Sequence, residues 1–327
     1  MNMKPKVILT QRYQSEPIEQ LQTQYNLIMV EGSGKTILRV VEENPDALAL
    51  ISFLSEKIGK DIIDAGKNLK IIANYAVGYN NIDVAHAISK GIYVTNTPDI
   101  LTDATADLTM ALILAVARRI VEGDAFMRRG EFTGWGANLM LGKALQGAKL
   151  GIIGMGRIGL ATARRAMGFG MDILYYSRSR KKDLEEQYGF KYTEFLDLIR
   201  QSDVISPHFP SSPETRHLFN KDVFDLMKKD AIFINAARGD LIDEAYLAEK
   251  LEKNELFGAG FDVYEFEPRV TEKLIGLKNV VLAPHVGSAT FTARLGMAYM
   301  TIEDVGLALS GSTPKRLVAE WKRHLNI

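Results

Sequence analysis

Short apolar segments alternate with amphipathic segments along almost the whole chain, and this alternation restricts the fold more than any other feature of the sequence. In the first part, the apolar segments are KVILT (6–10), ALALISF (47–53), LKIIANY (69–75) and IYVTN (92–96). Segments with helical spacing, such as residues 18–25 and 83–91, lie between them. Strands that alternate with helices form parallel sheets covered by helices on both faces, so we expect an α/β fold.

A second series of the same kind follows a long helix that we predict over residues 102–130. Its apolar segments are residues 148–154, 171–177, 203–206, 231–237, 258–264 and 279–285. Six strands with intervening helices complete a dinucleotide-binding sheet. We therefore predict two doubly wound parallel-sheet domains. A Rossmann-type dinucleotide-binding domain, residues 100–290, is inserted into a flavodoxin-like substrate-binding domain made of residues 1–99 and 291–327.

Composition excludes several classes of protein. Among 327 residues, 40 basic and 40 acidic side chains cancel, so no global field attracts nucleic acid or an anionic membrane. The absence of cysteine excludes disulfides and thiolate chemistry. The longest apolar stretch, residues 108–117, is far shorter than the roughly 20 residues of a membrane helix. We expect a cytoplasmic protein in which this stretch is buried on nearly every side, between domains or between subunits.

A glycine-rich turn follows the first strand of the second series. The motif GMGRIG comprises Gly154, Met155, Gly156, Arg157, Ile158 and Gly159. Gly154 permits the tight turn, Gly156 lets the backbone approach a pyrophosphate, and Gly159 allows a helix to pack closely on the strand. The helix N-terminus then offers N–H donors to the phosphates. The similar stretch at 31–36, EGSGKT, lacks the first glycine of a P-loop, and we interpret it as a surface loop.

The next strand ends without the acidic residue that usually binds the adenosine ribose. Ser177 stands 23 positions after Gly154 and is followed by Arg178, Ser179 and Arg180. A carboxylate there would repel a 2′-phosphate, whereas serine hydroxyls and arginine guanidinium groups can bind one. A solvated basic turn is the alternative. With the glycine-rich turn at the right distance, we favour NADP(H), and NAD(H) stays possible.

Four further candidates follow strands of the same sheet. Arg238 comes directly after one apolar segment, His285 is the last residue of another, and Asp262 and Glu267 lie at the end of a third and just beyond it. The carboxyl ends of parallel strands meet at one edge, where ligands bind, so these side chains favour catalysis over isolated ion pairs. The five histidines lack the spacing of a helical zinc site, and we expect no metal. Of these, His208 either lines the cofactor cleft or is packed.

Several long segments together resemble the D-isomer-specific 2-hydroxyacid dehydrogenases, nearest to the glyoxylate/hydroxypyruvate reductase branch. They are ANYAVGYNNID (73–83), GIIGMGRIG (151–159), PETRHLFN (213–220), INAARGDLIDE (234–244), GAGFDVYEFEP (258–268) and LAPHVGSAT (282–290). The resemblance implies an NADP(H)-preferring homodimeric reductase that converts small 2-keto acids, such as glyoxylate and hydroxypyruvate, to D-2-hydroxy acids. An NAD-linked D-2-hydroxyacid, phosphite or formate dehydrogenase and a nucleotide-sensing, co-repressor-like protein are the alternatives.

The resemblance also implies roles for individual residues. Arg238 would bind the substrate carboxylate, His285 would protonate the keto oxygen, Glu267 would orient the imidazole, and Asp262 would hold the nicotinamide carboxamide. The N–H groups of Val77 and Gly78 would bind the substrate carboxylate, and Thr105, Ala236, Ala237, Arg238, His285 and Gly287 would border the cofactor. Pro207 stands where this family commonly has an aliphatic residue, and nothing in the sequence explains it.

Overall fold

The computed structural model describes residues 4–327, which form two compact units. The first unit comprises residues 4–101 and Ala289–Ile327, and the second comprises Thr102–Ser288. The predicted domain limits, 99/100 and 290/291, differ from these by two residues at each crossing. That the first unit binds the substrate stays a prediction.

Up to residue 101, strands and helices alternate. The elements are β1 (Lys6–Leu9), α1 (Ser15–Gln24), β2 (Asn26–Met29), α2 (Ile37–Glu43), β3 (Ala47–Phe53), α3 (Lys60–Ala65), β4 (Ile71–Tyr75), α4 (Val84–Ser89) and β5 (Tyr93–Thr95). All strand pairs are parallel, in the order β2-β1-β3-β4-β5, which is the flavodoxin-like order. Ile8 and Leu50, on central strands, are fully buried, as expected for a sheet covered on both faces.

The second unit holds a larger parallel sheet. Its elements are α5 (Thr102–Ala117), α6 (Ile120–Arg128), β6 (Lys149–Ile153), α7 (Arg157–Met167), β7 (Asp172–Tyr176), α8 (Lys182–Tyr188), β8 (Lys191–Tyr192), α9 (Phe195–Gln201), β9 (Val204–Pro207), α10 (Lys221–Phe224), β10 (Ile232–Asn235), α11 (Glu244–Glu252), β11 (Gly258–Phe261), α12 (Glu272–Ile275) and β12 (Val280–Leu282). The strand order is β12-β11-β10-β9-β6-β7-β8. The predicted fold class, two doubly wound parallel-sheet domains of which one is Rossmann-like, is confirmed.

The last two helices, α13 (Phe291–Leu309) and α14 (Ala319–Leu325), return to the first unit. Helix α13 packs on β3 and β4, where Ala298 and Ile302 join the core. The indole N–H of Trp321 donates to the carbonyl of Ile92 at 3.0 Å. In the part of the chain that the structure describes, no helix combines the length and the hydropathy needed to cross a membrane.

The predicted helix over residues 102–130 is wrong in its extent, because the chain turns between α5 and α6. Arg119 adopts a left-handed conformation with φ of 53°. The carbonyl of Ala117 accepts the N–H of Lys143 at 2.8 Å, so a distant segment ends the helix. Residues 108–117 are mostly buried, but against β10, β11 and α7 of their own unit. Neither a domain boundary nor a subunit contact is needed to explain that burial.

Strands β2 and β8 have no counterpart in the sequence prediction. They contain four and two residues, and each lies at the edge of its sheet. The two-residue β8 is too short to show either pattern by which strands are predicted, and in β2 Asn26 is exposed and the other three residues are only partly buried. The second sheet therefore has seven strands rather than the six predicted.

Candidate active site

The turn between β6 and α7 has the geometry that its glycines predict. Gly154 has φ of +99°, and a Cβ atom there would lie 2.6 Å from the carbonyl oxygen of His208, so only glycine fits. At Gly159 a Cβ atom would lie 2.3 Å from the carbonyl oxygen of Gly154, whereas at Gly156 it would meet no atom within 4 Å. Strand β6 lies where the strand order reverses, which is the dinucleotide crevice of such sheets.

The start of α7 supplies the donors for a phosphate group. Gly156 is the N-cap residue and makes no side-chain cap, and Arg157, Ile158 and Gly159 form the first turn. The first N–H groups of a helix have no partner inside the helix, and they bind anions favourably. Met155 is buried beneath the turn. These residues therefore fit the diphosphate of a nicotinamide dinucleotide.

In the segment after β7, the two arginines that the sequence predicts as phosphate ligands have different surroundings. Ser177 Oγ donates to the carbonyl of Ser179 at 2.7 Å and closes a tight turn. Arg178 is exposed on this turn, and its guanidinium has no ion pair or hydrogen bond with any residue in 4–327. The turn lies beside the glycine-rich motif, because the N–H of Gly154 donates to the carbonyl of Tyr176 at 2.8 Å.

Arg180, in contrast, is already bound by side chains of the same unit. Its guanidinium makes two hydrogen bonds to Glu185, at 2.8 and 2.7 Å, and lies 5.4 Å from the ring centroid of Tyr192. Tyr175 also donates to Glu185, at 2.6 Å. Arg180 and Tyr175 together lower the pKa of Glu185 to about 2. Of the two arginines, Arg178 is the one left to bind a ligand.

Asn235, the last residue of β10, shapes the turn that carries Arg238. Its buried amide donates to the carbonyl of Arg238 at 2.8 Å and accepts the N–H of Ala237 at 3.1 Å, which also fixes the intervening Ala236 peptide. A Cβ atom on Gly239 would lie 1.9 Å from the carbonyl carbon of Tyr264. The Arg238 turn therefore packs directly on the loop that leads to Glu267.

Arg238 is partly buried. It donates to the carbonyl of Ala237 at 2.6 Å. Burial lowers the pKa of Arg238, and the carboxylates of Glu267 and Asp240 oppose this shift. Arginine remains charged throughout the usable pH range, so the turn presents a fixed positive charge near Glu267.

His285 and Glu267 form a hydrogen-bonded pair. The imidazole Nδ1 atom lies 2.9 Å from Oε2 of Glu267, and Oε1 of Glu267 accepts the N–H of Tyr264 at 3.0 Å. Burial alone would raise the pKa of Glu267, but the hydrogen bond and charge of His285, the Tyr264 N–H and the charge of Arg238 lower it below its usual value. The buried carboxylate of Glu244 holds the same loop by accepting the N–H of Glu265 at 2.9 Å.

The carboxylate of Asp262 binds the backbone N–H groups that directly follow His285 in the chain. It accepts the N–H groups of Val286 at 2.6 Å and Gly287 at 2.7 Å. His285 itself has φ of 52°, a left-handed conformation that this clamp maintains. Thr105 Oγ1 donates to the carbonyl of Gly287 at 3.3 Å. Burial raises the pKa of Asp262, and the two N–H groups and the charge of His285 oppose that shift.

The first unit carries the loop with Val77 and Gly78 directly after β4. The amide of Asn96 donates to the carbonyl of Val77 at 2.7 Å, and the amide of Asn74 donates to the carbonyl of Gly78 at 2.8 Å. Both carbonyl groups are therefore turned toward side chains of the same unit. Val77 and Gly78 are each partly exposed.

The remaining histidines have structural partners. His208 lies at the end of β9, where its carbonyl borders Gly154, its ring lies 3.0 Å from Ser206 Oγ, and burial lowers its pKa to about 4. His217 contacts Glu265 at 2.6 Å, and His86 contacts Asp64 at 2.9 Å. Within residues 4–327, no group of three or more acidic or histidine side chains could hold a metal ion. The buried Pro207 ends β9, and nothing in the structure assigns it a function.

The structure thus brings Arg238, Glu267 and His285 together on the second unit, and Asp262 accepts the two N–H groups that follow His285. Asn235, Glu244 and Tyr264 support these residues, and the sequence prediction missed all three. Asn235 could have been found from the sequence, because it is a polar residue at the end of the otherwise apolar strand IFIN. Glu244 resembles an ordinary acidic residue in the first turn of a helix.

Residues 110–287 match the family described as D-isomer specific 2-hydroxyacid dehydrogenase, NAD binding domain. A glyoxylate reductase of Thermococcus litoralis is 46% identical over 321 residues, which are 97% of this chain and 97% of the relative. A glyoxylate reductase of Pyrococcus horikoshii is 45% identical over 322 residues, with 97% and 96% covered. A solved NADPH-dependent glyoxylate/hydroxypyruvate reductase of Sinorhizobium meliloti, in complex with NADP and malonate, superimposes with a TM-score of 0.88 at 32% identity, covering 97% of both chains.

Proposed function

Because the chain belongs to the D-isomer-specific 2-hydroxyacid dehydrogenases, a family of NAD(P)-dependent oxidoreductases, we propose that it reduces small 2-keto acids, glyoxylate and hydroxypyruvate, to D-2-hydroxy acids with NADPH as the preferred cofactor. The observation that carries the proposal is the His285–Glu267 pair, 2.9 Å apart, whose carboxylate also acts on Arg238. An imidazole held by a carboxylate beside a fixed cation suits proton transfer to the oxygen of an anionic keto acid.

Each residue has a separate task in this reaction. The turn between β6 and α7 would hold the dinucleotide, whose reduced nicotinamide would supply a hydride to the carbonyl carbon of the substrate. Arg238 binds the substrate carboxylate and polarises the keto oxygen, while His285 gives that oxygen the proton held on Nε2. Glu267 accepts the hydrogen bond of Nδ1 and stabilises the imidazolium. In the oxidative direction, His285 accepts the proton of the hydroxyl group.

Further residues bind the substrate and the cofactor in this proposal. The N–H groups of Val77 and Gly78 bind the substrate carboxylate. The nicotinamide end of the cofactor is bordered by Thr105, Ala236, Ala237, Asp262 and Gly287. Both oxygens of the Asp262 carboxylate already accept backbone N–H groups, and each retains a lone pair that can accept a hydrogen bond from a carboxamide.

The preference for NADPH is supported by the turn after β7. Arg178 is exposed there with a guanidinium that no residue in 4–327 engages, and the turn carries no carboxylate that would repel a 2′-phosphate. Arginine binds phosphate oxygens through charge-assisted hydrogen bonds. The Sinorhizobium meliloti relative, described as NADPH-dependent, also supports this choice.

A panel of substrates with both cofactors tests the proposal. We expect NADPH oxidation with glyoxylate and hydroxypyruvate, and slower oxidation of NADH. Formate and phosphite, assayed with NAD⁺ and NADP⁺, are expected to give no reduction of the cofactor. Turnover with phosphite or formate alone would establish a different dehydrogenase, and NADPH binding without any turnover would establish a nucleotide sensor.

We also infer that the chain forms a homodimer through an exposed apolar surface of the second unit. Helix α6 buries none of its residues within the chain. The apolar surface consists of exposed side chains on α6 and the segment after it, namely Ile120, Val121, Met127, Phe132, Trp135, Leu139 and Leu141. A group of large apolar side chains left exposed along one stretch of the chain is typical of a subunit interface. That the protein works in the cytoplasm stays a prediction.

A further inference from the structure

In the loop after β4, two backbone carbonyl groups accept hydrogen bonds from asparagine side chains. Asn96 Nδ2 donates to the carbonyl of Val77 at 2.7 Å, and Asn74 Nδ2 donates to the carbonyl of Gly78 at 2.8 Å. In a planar trans peptide, the C=O and N–H bonds point in opposite directions. Asn96 therefore determines where the N–H of Gly78 points, and Asn74 does the same for the N–H of Tyr79.

The preceding peptide group is held in the same way. The N–H of Thr97 donates to the carbonyl of Ala76 at 2.9 Å, so the N–H of Val77 points away from the 96–97 segment. Among the residues from 4 to 327, no acceptor engages the N–H groups of Val77, Gly78 or Tyr79. Successive N–H groups that are free on one side of a loop make a concave site for an anion.

The orientation of the Asn74 amide is itself determined by its neighbours. Asn74 is fully buried, and its Oδ1 atom accepts a hydrogen bond from Ser52 Oγ at 3.2 Å. The amide of Asn81, which can only donate through nitrogen, lies 3.4 Å from the same oxygen. The Nδ2 atom of Asn74 consequently faces the carbonyl of Gly78. Asn81 also donates to the carbonyls of Phe53 at 3.1 Å and Glu56 at 2.9 Å, which ties this network to the loop after β3.

We propose that Asn96 and Asn74 are positioning residues for substrate carboxylate binding. Asn96 holds the carbonyl group of Val77 so that the N–H of Gly78 stays directed at the carboxylate, and Asn74 holds the next peptide group, which keeps the Val77–Gly78 loop in the same conformation. This inference rests on the proposed function, in which the Val77–Gly78 loop binds that carboxylate. In this role both asparagines act through the loop and not through a contact of their own with the substrate. If the amide donor of either asparagine is lost, the peptide group that it holds can rotate. The substrate carboxylate then loses hydrogen bonds that it makes equally in the ground state and the transition state. Such a loss raises KM more than it lowers kcat.

The test compares Asn96→Asp, Asn96→Ala and Asn74→Ser with the wild-type protein. Asn96→Asp keeps the shape of the side chain and removes the donor. We expect KM for glyoxylate to rise roughly tenfold in both Asn96 variants, the loss expected for one charge-assisted hydrogen bond. The fall in kcat should be smaller, and Kd for NADPH and Tm should be nearly unchanged. Asn44→Ala is the matched control, because Asn44 makes the same kind of bond, 2.9 Å to the carbonyl of Val40, away from the loop. Asn74→Ser, which lacks the amide, tests the second peptide group even if an Asn96 variant fails to fold.

An unchanged KM in Asn96→Asp would overturn the proposal, as would a loss of NADPH affinity and Tm in proportion to the rise in KM. Calorimetric titration with oxamate, a carboxylate of similar size, separates this inference from the proposed function. If the wild-type protein reduces no keto acid but binds oxamate, and Asn96→Asp binds it more weakly, the proposed function fails and the positioning role stands. If oxamate binds both proteins equally, or neither, the positioning role is wrong.

Discussion

The Nδ1 atom of His285 lies 2.9 Å from the Oε2 atom of Glu267. An ionised carboxylate only accepts hydrogen bonds, so Nδ1 carries a hydrogen and Nε2 is the ring atom that exchanges a proton. The neighbouring peptide groups keep the ring in place, because Asp262 accepts the N–H of Val286 and Tyr264 Oη donates to the carbonyl of Ala283 at 2.8 Å. The proposed proton donor is therefore set in one tautomer and one orientation.

Replacement of His285 by alanine should remove most turnover and leave cofactor binding intact. General acid catalysis by a positioned side chain contributes roughly 10²–10⁴-fold to a rate, so kcat for glyoxylate reduction should fall by about that factor. Stopped-flow turnover and NADPH fluorescence measure the two effects. His324→Ala, in the exposed C-terminal helix, is the control and should keep the wild-type kcat. A His285→Ala variant with near-normal kcat would eliminate His285 as the acid.

Replacement of Glu267 by glutamine should change the pH profile of the reduction. The pKa of Glu267 is lowered below its usual value, so its carboxylate stays charged throughout a profile from pH 5 to 10 and stabilises the protonated imidazole. In Glu267→Gln that stabilisation is lost, and kcat/KM should begin to fall at a pH lower by about one unit or more. Superimposable profiles for the two proteins would contradict the assigned role.

The architecture was largely predictable, because the alternation of strand and helix patterns is a local property of the chain. The end of α5 was not, since it depends on the N–H of Lys143, 26 residues further on, which takes the carbonyl of Ala117. No glycine or proline occurs within three residues of Arg119 to indicate the turn. Local patterns therefore predict which elements exist, while contacts between distant segments determine where some of them end.

The residues of the candidate site likewise include some that the sequence predicts and some that it does not. Arg238 and His285 were predictable, because each lies three residues past the end of an apolar strand and carries a reactive side chain. Asn235 and Glu244 act instead through hydrogen bonds to the backbone. Glu244 accepts the N–H groups of Glu265 and Thr271, 21 and 27 residues away, and its side chain alone gives no hint of those partners.

Charges placed on the exposed apolar surface of α6 should separate the proposed dimer. In wild-type protein, Val121 and Met127 are 50% and 56% exposed, and covering them would remove apolar area from water. We expect sedimentation to give a dimer for the wild type and a monomer for Val121→Glu/Met127→Glu. Ile275→Glu, on α12, adds a charge at a site 64% exposed and should remain a dimer. A monomeric wild-type protein would refute the interface.

The two arginines after β7 should have different effects on cofactor choice. In Arg178→Ala the affinity for NADPH should fall by about 1.5–3 kcal/mol, while the affinity for NADH stays nearly the same, because only the 2′-phosphate is lost as a partner. Arg180→Ala is the matched control, since Arg180 is already engaged by Glu185. It should lower Tm and leave the ratio of the two affinities unchanged.

The stability effect of Arg180→Ala should also depend on pH. Because the pKa of Glu185 is lowered to about 2 in the folded protein, the stabilisation by Arg180 is complete above the usual glutamate value of 4.5 and disappears as the pH falls toward 2. The difference in Tm between wild type and Arg180→Ala should therefore be largest near neutral pH.

Titrations of the Arg178→Ala and Arg180→Ala variants with NADPH and NADH measure the predicted change in cofactor choice. If Arg178→Ala weakens both cofactors equally, Arg178 does not contact the 2′-phosphate.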